Sequence, residues 1–298
     1  MIFNYRFLYG QNGKSLPRKE RIFIEAANPN DEILRAIRIN GTFYEHDLLL
    51  HLAHAGLRGG LFIDVGANIG NHSIYFAKFL ADHVVCIEPS IELQGVLKNN
   101  LEANKLTNYS LIRCGAGASF GYGELVYPLD KRSKMGMARI ECTSGPQDKH
   151  SKNNYVKVRT IDSIVKNLDS SLRSLPVKLI KIDVEGMQLD VLKGARFVLE
   201  SQRPQLIVEA NDHKEQDELN SFLREFGYEP VGKFCSTPTF HYVDRRVHKL
   251  RQKSIGCKFA RTIPEILRLP GKIKRTIAYY GMNNAVNRIF SKLKPSRR

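Results

Sequence analysis

A carboxylate and two glycines stand at the point where a short apolar run gives way to an amphipathic one. The stretch LFIDVGANIGNHSIYFAKFL predicts a strand that brings Asp64 to its end, a turn with Gly66 and Gly70, and a helix from near Asn71. Parallel sheets bind ligands beyond the carboxyl ends of their strands. Glycines let the backbone approach a ligand closely, and the start of a helix offers unpaired N–H groups. The stretch therefore predicts a cofactor-binding loop.

The spacing of these residues narrows the choice of cofactor. Gly66 and Gly70 fit neither the G-x-G-x-x-G pattern of dinucleotide sites nor the G-x-x-x-x-G-K-[ST] pattern of phosphate loops. The acid close before the first glycine suits a positively charged ligand such as S-adenosylmethionine, which has an ammonium and a sulfonium. Glu88 ends the next predicted strand, where a carboxylate can accept both hydroxyls of a ribose. Both acids could instead only cap the following helices, but capping does not explain the glycines.

The elements that position these residues alternate between strand and helix. After residue 60, short runs rich in Ile and Val are separated by helical patterns, which predicts βαβ units and a parallel sheet. The alternation breaks between about 115 and 160, where GELVYPLD, MARIECT and YVKVRTID predict an inserted β segment. We expect an N-terminal segment over 1–59, a cofactor-binding domain over 60–244 and a basic, partly helical extension over 245–298.

The positive charge of the chain is concentrated in that extension. The chain has 46 Lys and Arg against 30 Asp and Glu, and residues 245–298 hold 16 of the basic residues with one acid, Glu265. Three interpretations remain open: attachment to an anionic membrane surface, contact with a phosphate-rich partner including nucleic acid, or a solvated appendage. Nucleic acid is the less favoured partner, because the sequence contains no recognisable binding module. The oligomeric state is left open.

The rest of the composition points to the cytoplasm. The first residues lack a basic stretch followed by an apolar core, so no secretory signal is predicted. No run of about 18 apolar residues predicts a spanning helix. The five cysteines are scattered and never in CxxC spacing, which argues against disulfides or a zinc site. We expect a cytoplasmic protein, with the inner membrane surface as the alternative location through the basic extension.

Several motifs resemble the FkbM-type methyltransferases, which are S-adenosylmethionine-dependent enzymes. The similar pieces are FYEHDLL, FIDVGANIGNHS, CIEPS, LKNNLEANKL, VRTIDSI, LIKIDVEGMQLDVLKGA and PQLIVEAN, within residues 43–212. Gln188 departs from the family, whose members often have Glu there, and the basic extension has no counterpart. The resemblance implies a Rossmann-like class I methyltransferase fold, α/β with a mostly parallel seven-stranded sheet and helices on both faces. It also implies methyl transfer, most often to an oxygen of a sugar or small natural product.

Methyl transfer to a hydroxyl needs alignment and a base, and two strand ends supply acids. The strand LIKIDVEG places Asp183 and Glu185 at the sheet edge, where either could orient or deprotonate the acceptor. Alternatively, Asp183 caps the next turn and Glu185 faces solvent. The strand ending in VEAND adds Glu209 and Asn211. Asp183, Asn211 and Asp212 could also hold a magnesium-like ion, but three oxygens in sequence do not fix a coordination geometry, and we predict no metal site.

Two further positions are assigned with alternatives. Glu45 matches an acid that the family has before the core; it either closes over the cofactor or only begins the helix that follows. The segment CGAG is expected to end the third strand, where the backbone of Gly115 and Ala116 could contact the adenine, although the acid that often does so is missing.

The predicted site follows from these assignments. The predicted catalytic residues are Asp183, Glu185 and Glu209. The predicted substrate-binding residues are Glu45 and Asn211. The predicted S-adenosylmethionine-binding residues are Asp64, Gly66, Ala67, Asn68, Gly70, Asn71, Glu88, Pro89, Gly115, Ala116 and Asp183. We expect an O-methyltransferase acting on a hydroxyl of a saccharide, glycolipid precursor or small natural product. The alternatives are an RNA methyltransferase that holds RNA with the extension, and a cofactor-binding module without catalysis.

Overall fold

The computed structural model describes residues 1–7, 18–127, 138–143 and 155–246. The strands are β1 (Ile2–Phe7), β2 (Arg18–Phe23), β3 (Leu61–Val65), β4 (His83–Ile87), β5 (Tyr109–Ile112), β6 (Gly115–Ala116), β7 (Gly121–Val126), β8 (Arg139–Thr143), β9 (Tyr155–Arg159), β10 (Val177–Ile182), β11 (Gln205–Glu209), β12 (Tyr228–Phe234) and β13 (Thr239–Asp244). The helices are α1 (Glu32–Asn40), α2 (His46–His54), α3 (Asn71–Tyr75), α4 (Ile91–Ala103), α5 (Ile161–Lys166), α6 (Ser170–Arg173), α7 (Gln188–Lys193), α8 (Arg196–Ser201) and α9 (His213–Glu225).

A seven-stranded sheet in the order β12-β13-β11-β10-β3-β4-β5 forms the centre of the fold. The pairs from β11 to β5 are parallel, and β13 runs antiparallel to both of its neighbours, β11 and β12. Every residue of β3 is buried, as expected for a central strand that is covered on both faces. The predicted fold class is confirmed.

Two apolar clusters cover the two faces of this sheet. Phe62 and Leu179 contribute to a cluster with the N-terminal segment and helices α2 to α4. Leu61, Ile63 and Ile180 contribute to the other cluster, with α5 and α7 to α9. Successive residues of one strand therefore enter opposite cores, which follows from the two-residue period of a strand.

The N-terminal segment is part of the compact unit that runs from Met1 to Arg245. Strands β1 and β2 form an antiparallel hairpin, and the ring of Tyr5 packs edge-on against Phe43 and Tyr75. The amide of Asn100 in α4 bonds both the N–H and the C=O of Glu25, which ties the end of this hairpin to the main domain. The sequence predicts a strand at RIFIEA and a helix after Glu45, and the structure adds β1 and α1.

The inserted β segment is present as a separate four-stranded sheet in the order β6-β9-β7-β8. The segment CGAG does not end the third strand of the main sheet: β5 ends at Ile112, and Gly115 and Ala116 pair with Val158 and Arg159 of β9 in the small sheet. This backbone leaves the main sheet because its hydrogen bonds are made to the insert.

Two helices also differ from their sequence patterns. The helix that follows the glycine loop continues after α3 as a π-helical turn, Phe76–Leu80. The run MQLDVLKGARFVLE is divided into α7 and α8 at Gly194. A Cβ at Gly194 would lie 2.1 Å from the carbonyl oxygen of Gly117, so glycine allows these two backbones to approach closely.

Within the described ranges, no helix has both the length and the apolar character that crossing a bilayer requires. The predicted extension lies outside the described residues from 247 onward, as do the contacts assigned to it.

Candidate active site

A cleft of about 660 Å³, its open mouth included, lies at the carboxyl ends of β10, β3 and β4. Its walls come from the glycine loop, from the segments after these strands and from the small sheet. The predicted site residues that line it are Gly66, Asn68, Glu88, Pro89, Gly115, Ala116, Asp183 and Glu185. Asp64, Ala67, Gly70, Asn71, Glu45, Glu209 and Asn211 are not among its lining residues.

Glu88 is a buried carboxylate on the floor of this cleft. Its Oε2 accepts a hydrogen bond from the backbone N–H of Asn68 at 3.0 Å, and its Oε1 accepts one from the backbone N–H of Ser90 at 2.9 Å. Burial raises the pKa of Glu88 to about 7, because its effect is larger than that of the two hydrogen bonds, which lower the pKa. The carboxylate is held at a strand end with lone pairs left for ligand hydroxyls.

The glycine loop fits a ligand with polar hydrogens. Asn68 has a left-handed backbone with φ of 52°, and among the described residues no group donates to its buried Oδ1. Such an acceptor needs a donor, which an ammonium or hydroxyl would supply. Gly66 has φ of 77°, and a Cβ there would lie 1.9 Å from the carbonyl oxygen of Asp183. The residues of this loop therefore fit S-adenosylmethionine.

Asp64 lies behind the cleft. Its side chain is 0% exposed, and one oxygen accepts a 2.5 Å hydrogen bond from Ser73 Oγ while the other lies 3.4 Å from Nζ of Lys181. This geometry does not favour the predicted contact between Asp64 and the cofactor, because helix α3 and strand β10 enclose the carboxylate. Asp64 instead balances the charge of Lys181.

Lys181 is a residue of this site that was not predicted from the sequence. It is 3% exposed, and its ammonium lies 3.0 Å from Oδ2 of Asp183 in addition to the contact with Asp64. Burial acts to lower its pKa, but the two carboxylates outweigh burial and raise it. The available signal was a lysine inside an apolar strand, since lysine is almost never fully buried unless it is paired.

Asp183 and Glu209 form a hydrogen-bonded pair of carboxyl groups beside this ammonium. Burial acts to raise the pKa of Asp183, but Lys181 and the hydrogen bond with Glu209 outweigh it and lower that pKa. Burial and then Asp183 raise the pKa of Glu209. The two pKa values shift in opposite directions, so Asp183 is the more acidic member of the pair. Because the Asp183 side chain is 43% exposed, a ligand in the cleft can reach it.

Glu45 lies near this pair in the N-terminal segment. It precedes α2, but its side chain makes no capping hydrogen bond and instead lies 3.2 Å from Nε2 of His72. Burial acts to raise the pKa of Glu45, and His72 outweighs it and lowers that pKa. The side-chain amide of Asn71 holds Tyr44, the residue before Glu45. It accepts a hydrogen bond from the N–H of Tyr44 and donates one to its C=O, both at 3.0 Å. Asn71 thus positions Glu45 and does not line the cleft.

The segment after β11 is arranged differently from the expectation. Asp212 caps α9 through a 2.8 Å hydrogen bond from the N–H of Glu215, and Asn211 is exposed, with its N–H donating to the Glu215 carboxylate. In the parts of the chain that the structure describes, no group of three or more His, Cys, Asp and Glu side chains is placed to hold a metal ion.

The topology of the sheet and this cleft together define a class I methyltransferase domain. Residues 64–230, more than half of the 298-residue chain, match the family model described as the methyltransferase FkbM domain. The chain belongs to this family, which confirms the resemblance, and its domain is of the S-adenosylmethionine-dependent methyltransferase class.

Individual relatives are more distant. Methyltransferase sdnD of Sordaria araneosa is 28% identical over 44% of this chain and 59% of its own length. Methyltransferase 1 of Beauveria bassiana is 26% identical over 44% of this chain and 57% of its own length. The chain thus spans less than two thirds of either relative. The crystal structure of methyltransferase FkbM from Methylobacillus flagellatus is 23% identical, covers 62% of this chain and 43% of that chain, and gives a TM-score of 0.44.

Proposed function

We propose that this protein transfers a methyl group from S-adenosylmethionine to a hydroxyl group of a saccharide, a glycolipid precursor or a small natural product. The observation that carries the proposal is the position of Asp183. It lines the cofactor cleft, and its Oδ2 lies 3.0 Å from the ammonium of the buried Lys181, which lowers its pKa. An ionised carboxylate reachable from the cleft can receive the proton that a hydroxyl must lose.

Different residues of the cleft would bind the cofactor and act on the acceptor. Glu88 would accept the ribose hydroxyls, and the free Oδ1 of Asn68 would accept an N–H or O–H of the cofactor. When bound, S-adenosylmethionine supplies a methyl group on a positively charged sulfur. Asp183 would accept a hydrogen bond from the acceptor hydroxyl, orient its oxygen and take its proton as that oxygen is methylated. Lys181 would keep Asp183 ionised until then.

The charge around Asp183 favours an uncharged, hydroxyl-rich acceptor. Glu45 and Glu185 lie close enough to Asp183 to interact with it electrostatically, and burial followed by Asp183 raises the pKa of Glu185. A polyphosphate chain would meet like charge here. RNA remains the second candidate acceptor, because residues 245–298 hold 16 basic residues that could bind its backbone.

Labelled cofactor offered to separated pools of glycans, lipids, small metabolites and RNA would test the proposal. We expect label in a hydroxyl-bearing glycan, lipid or metabolite. Asp183→Asn should lower the rate at least a hundredfold with little change in cofactor affinity. Asp190→Asn, an exposed acid paired with Lys193 on the surface, is the matched control and should leave the rate unchanged. Label in RNA alone would support the RNA methyltransferase, and cofactor binding without label in any pool would support the non-catalytic module.

The basic extension supports a second part of the proposal, attachment to an anionic membrane surface. Each basic residue close to such a surface contributes about 1 kcal/mol. The full chain should sediment with vesicles that contain phosphatidylserine and not with neutral ones, and the attachment should weaken with salt. Replacing Lys272, Lys274 and Arg275 with Gln should reduce sedimentation. Equal binding to neutral vesicles would contradict this attachment.

A further inference from the structure

The two ends of the cleft differ in chemistry. Along the sheet edge the order is β10, β3, β4 and β5, so Asp183 after β10 lies at one end and Gly115, which follows β5, at the other. The lining that the small sheet contributes beside Gly115 is apolar and includes Leu125 and Ile140. Among the described lining residues, the charged side chains are Glu88, Asp183 and Glu185, and none belongs to the small sheet. The end built by the small sheet therefore suits an uncharged, flat group.

Ile140 reaches this wall because two glycines make room for it. A Cβ at Gly115 would lie 2.4 Å from Cδ1 of Ile140, and a Cβ at Gly123 would lie 2.2 Å from its Cγ2. Neither glycine has the left-handed backbone that requires glycine. Their small size serves the packing of Ile140, which pairs with Leu125 across strands β7 and β8. The insert is thus shaped to present these two side chains to the cleft.

We propose that Ile140, supported by Leu125, is the wall against which the adenine ring of the cofactor packs, so that the small sheet sets cofactor affinity. The inference rests on the proposed use of S-adenosylmethionine. Glu88 at the end of β4 fixes the ribose between the two ends of the cleft, and the base then extends toward β5 and the insert. An aromatic base gains most by covering apolar side chains of this kind.

Isothermal titration with S-adenosylhomocysteine and with S-ribosylhomocysteine, which lacks the base, tests this assignment. Ile140→Ala should bind S-adenosylhomocysteine about tenfold more weakly than the unmodified protein, and Ile140→Val about threefold more weakly. Competition by S-ribosylhomocysteine should be unchanged in both variants. Ile164→Val, a change at a buried isoleucine of α5 that does not line the cleft, is the matched control and should bind both ligands normally.

The outcomes separate this inference from the proposed function. If the unmodified protein binds no S-adenosylhomocysteine, the proposed cofactor use fails. If it binds and Ile140→Ala binds equally well, or if the variant loses both ligands to the same extent, the assignment of Ile140 is overturned. Should Ile140→Ala disrupt the small sheet, Ile140→Val and Ile140→Met decide the question, because they keep most of the volume that fills the space over the two glycines.

Discussion

Replacing Lys181 with Met removes the one positive charge between two carboxylates, and its consequences follow from their burial. Lys181 is 3% exposed and Asp64 is 0% exposed, whereas the side chain of Asp183 is 43% exposed. Solvent screens the contact with Asp183, so the cost arises mainly from Asp64, which would keep its hydrogen bond from Ser73 but lose its counter-charge. Removing one partner of a buried ion pair costs about 3–5 kcal/mol, and we expect a loss of about 3 kcal/mol.

Urea unfolding measures this loss, and two further variants show its origin. The double variant Asp64→Asn, Lys181→Met has no unpaired charge at this position and should recover about 2 kcal/mol relative to Lys181→Met. Lys178→Met lies on the same strand but is exposed, so it should change the free energy of unfolding by less than about 0.5 kcal/mol. A loss below about 1 kcal/mol in Lys181→Met, or a double variant no more stable than the single one, would refute this account of the pair.

The same substitution has a signature in the chemistry. Lys181 lowers the pKa of Asp183, so its removal should raise that pKa and move the acidic limb of the pH–rate profile to higher pH. Lys178→Met should leave the limb in place. A purely structural loss would lower the rate at every pH without moving the limb, which distinguishes the two effects.

Three other predictions concern two residues that line the cleft, Glu88 and Gly66, and one that supports it from behind, Asn71. Burial raises the pKa of Glu88 to about 7, so its carboxylate is protonated below that pH. Cofactor affinity, measured by titration, should therefore fall by up to about tenfold per pH unit below 7. In Glu88→Gln the affinity should no longer depend on pH in this range. Asn71→Ala removes both hydrogen bonds to Tyr44 and should lower the unfolding free energy by about 2 kcal/mol, while Asn71→Asp keeps the acceptor and should lose less. Gly66→Ala should abolish cofactor binding because of the contact at 1.9 Å, whereas Gly227→Ala has a similar φ of 82° with open space around it and should leave binding intact.

The sequence was sufficient for the fold and for eight of the residues that line the cleft, because both depend on local patterns. Apolar strands that end in an acid or a glycine can be read directly, and Glu88, Gly66 and Asp183 indeed line one cleft. Their gathering follows from parallel topology, which brings the carboxyl ends of neighbouring strands together. No knowledge of side-chain direction was needed for this step.

The direction of a side chain at a strand end could not be predicted in this way. Asp64 and Glu88 each follow an apolar run, yet Asp64 pairs with Cys86 inside the sheet and is enclosed by α3 and β10, while Glu88 follows the last residue of β4 and lines the cleft. The contribution of Ile140 was also hidden, since it depends on how a separate sheet folds back over Gly115. Long-range packing decides both cases, and a single sequence contains no direct signal for it.

The position of Lys181 beside Asp64 depends on an irregularity in the pairing of β10 with β3. Val177 pairs with Leu61 and Leu179 pairs with Phe62, so Lys178 is an extra residue in β10. Regular pairing from Val177 onward would place an isoleucine opposite Asp64. With the extra residue, Lys181 lies opposite Asp64. Leu179 and Ile180 then lie in the same apolar clusters as the β3 residues they pair with. A one-residue change of register exchanges the two faces of a strand, so this bulge fixes both the packing of the sheet and the charge that holds Asp183 ionised.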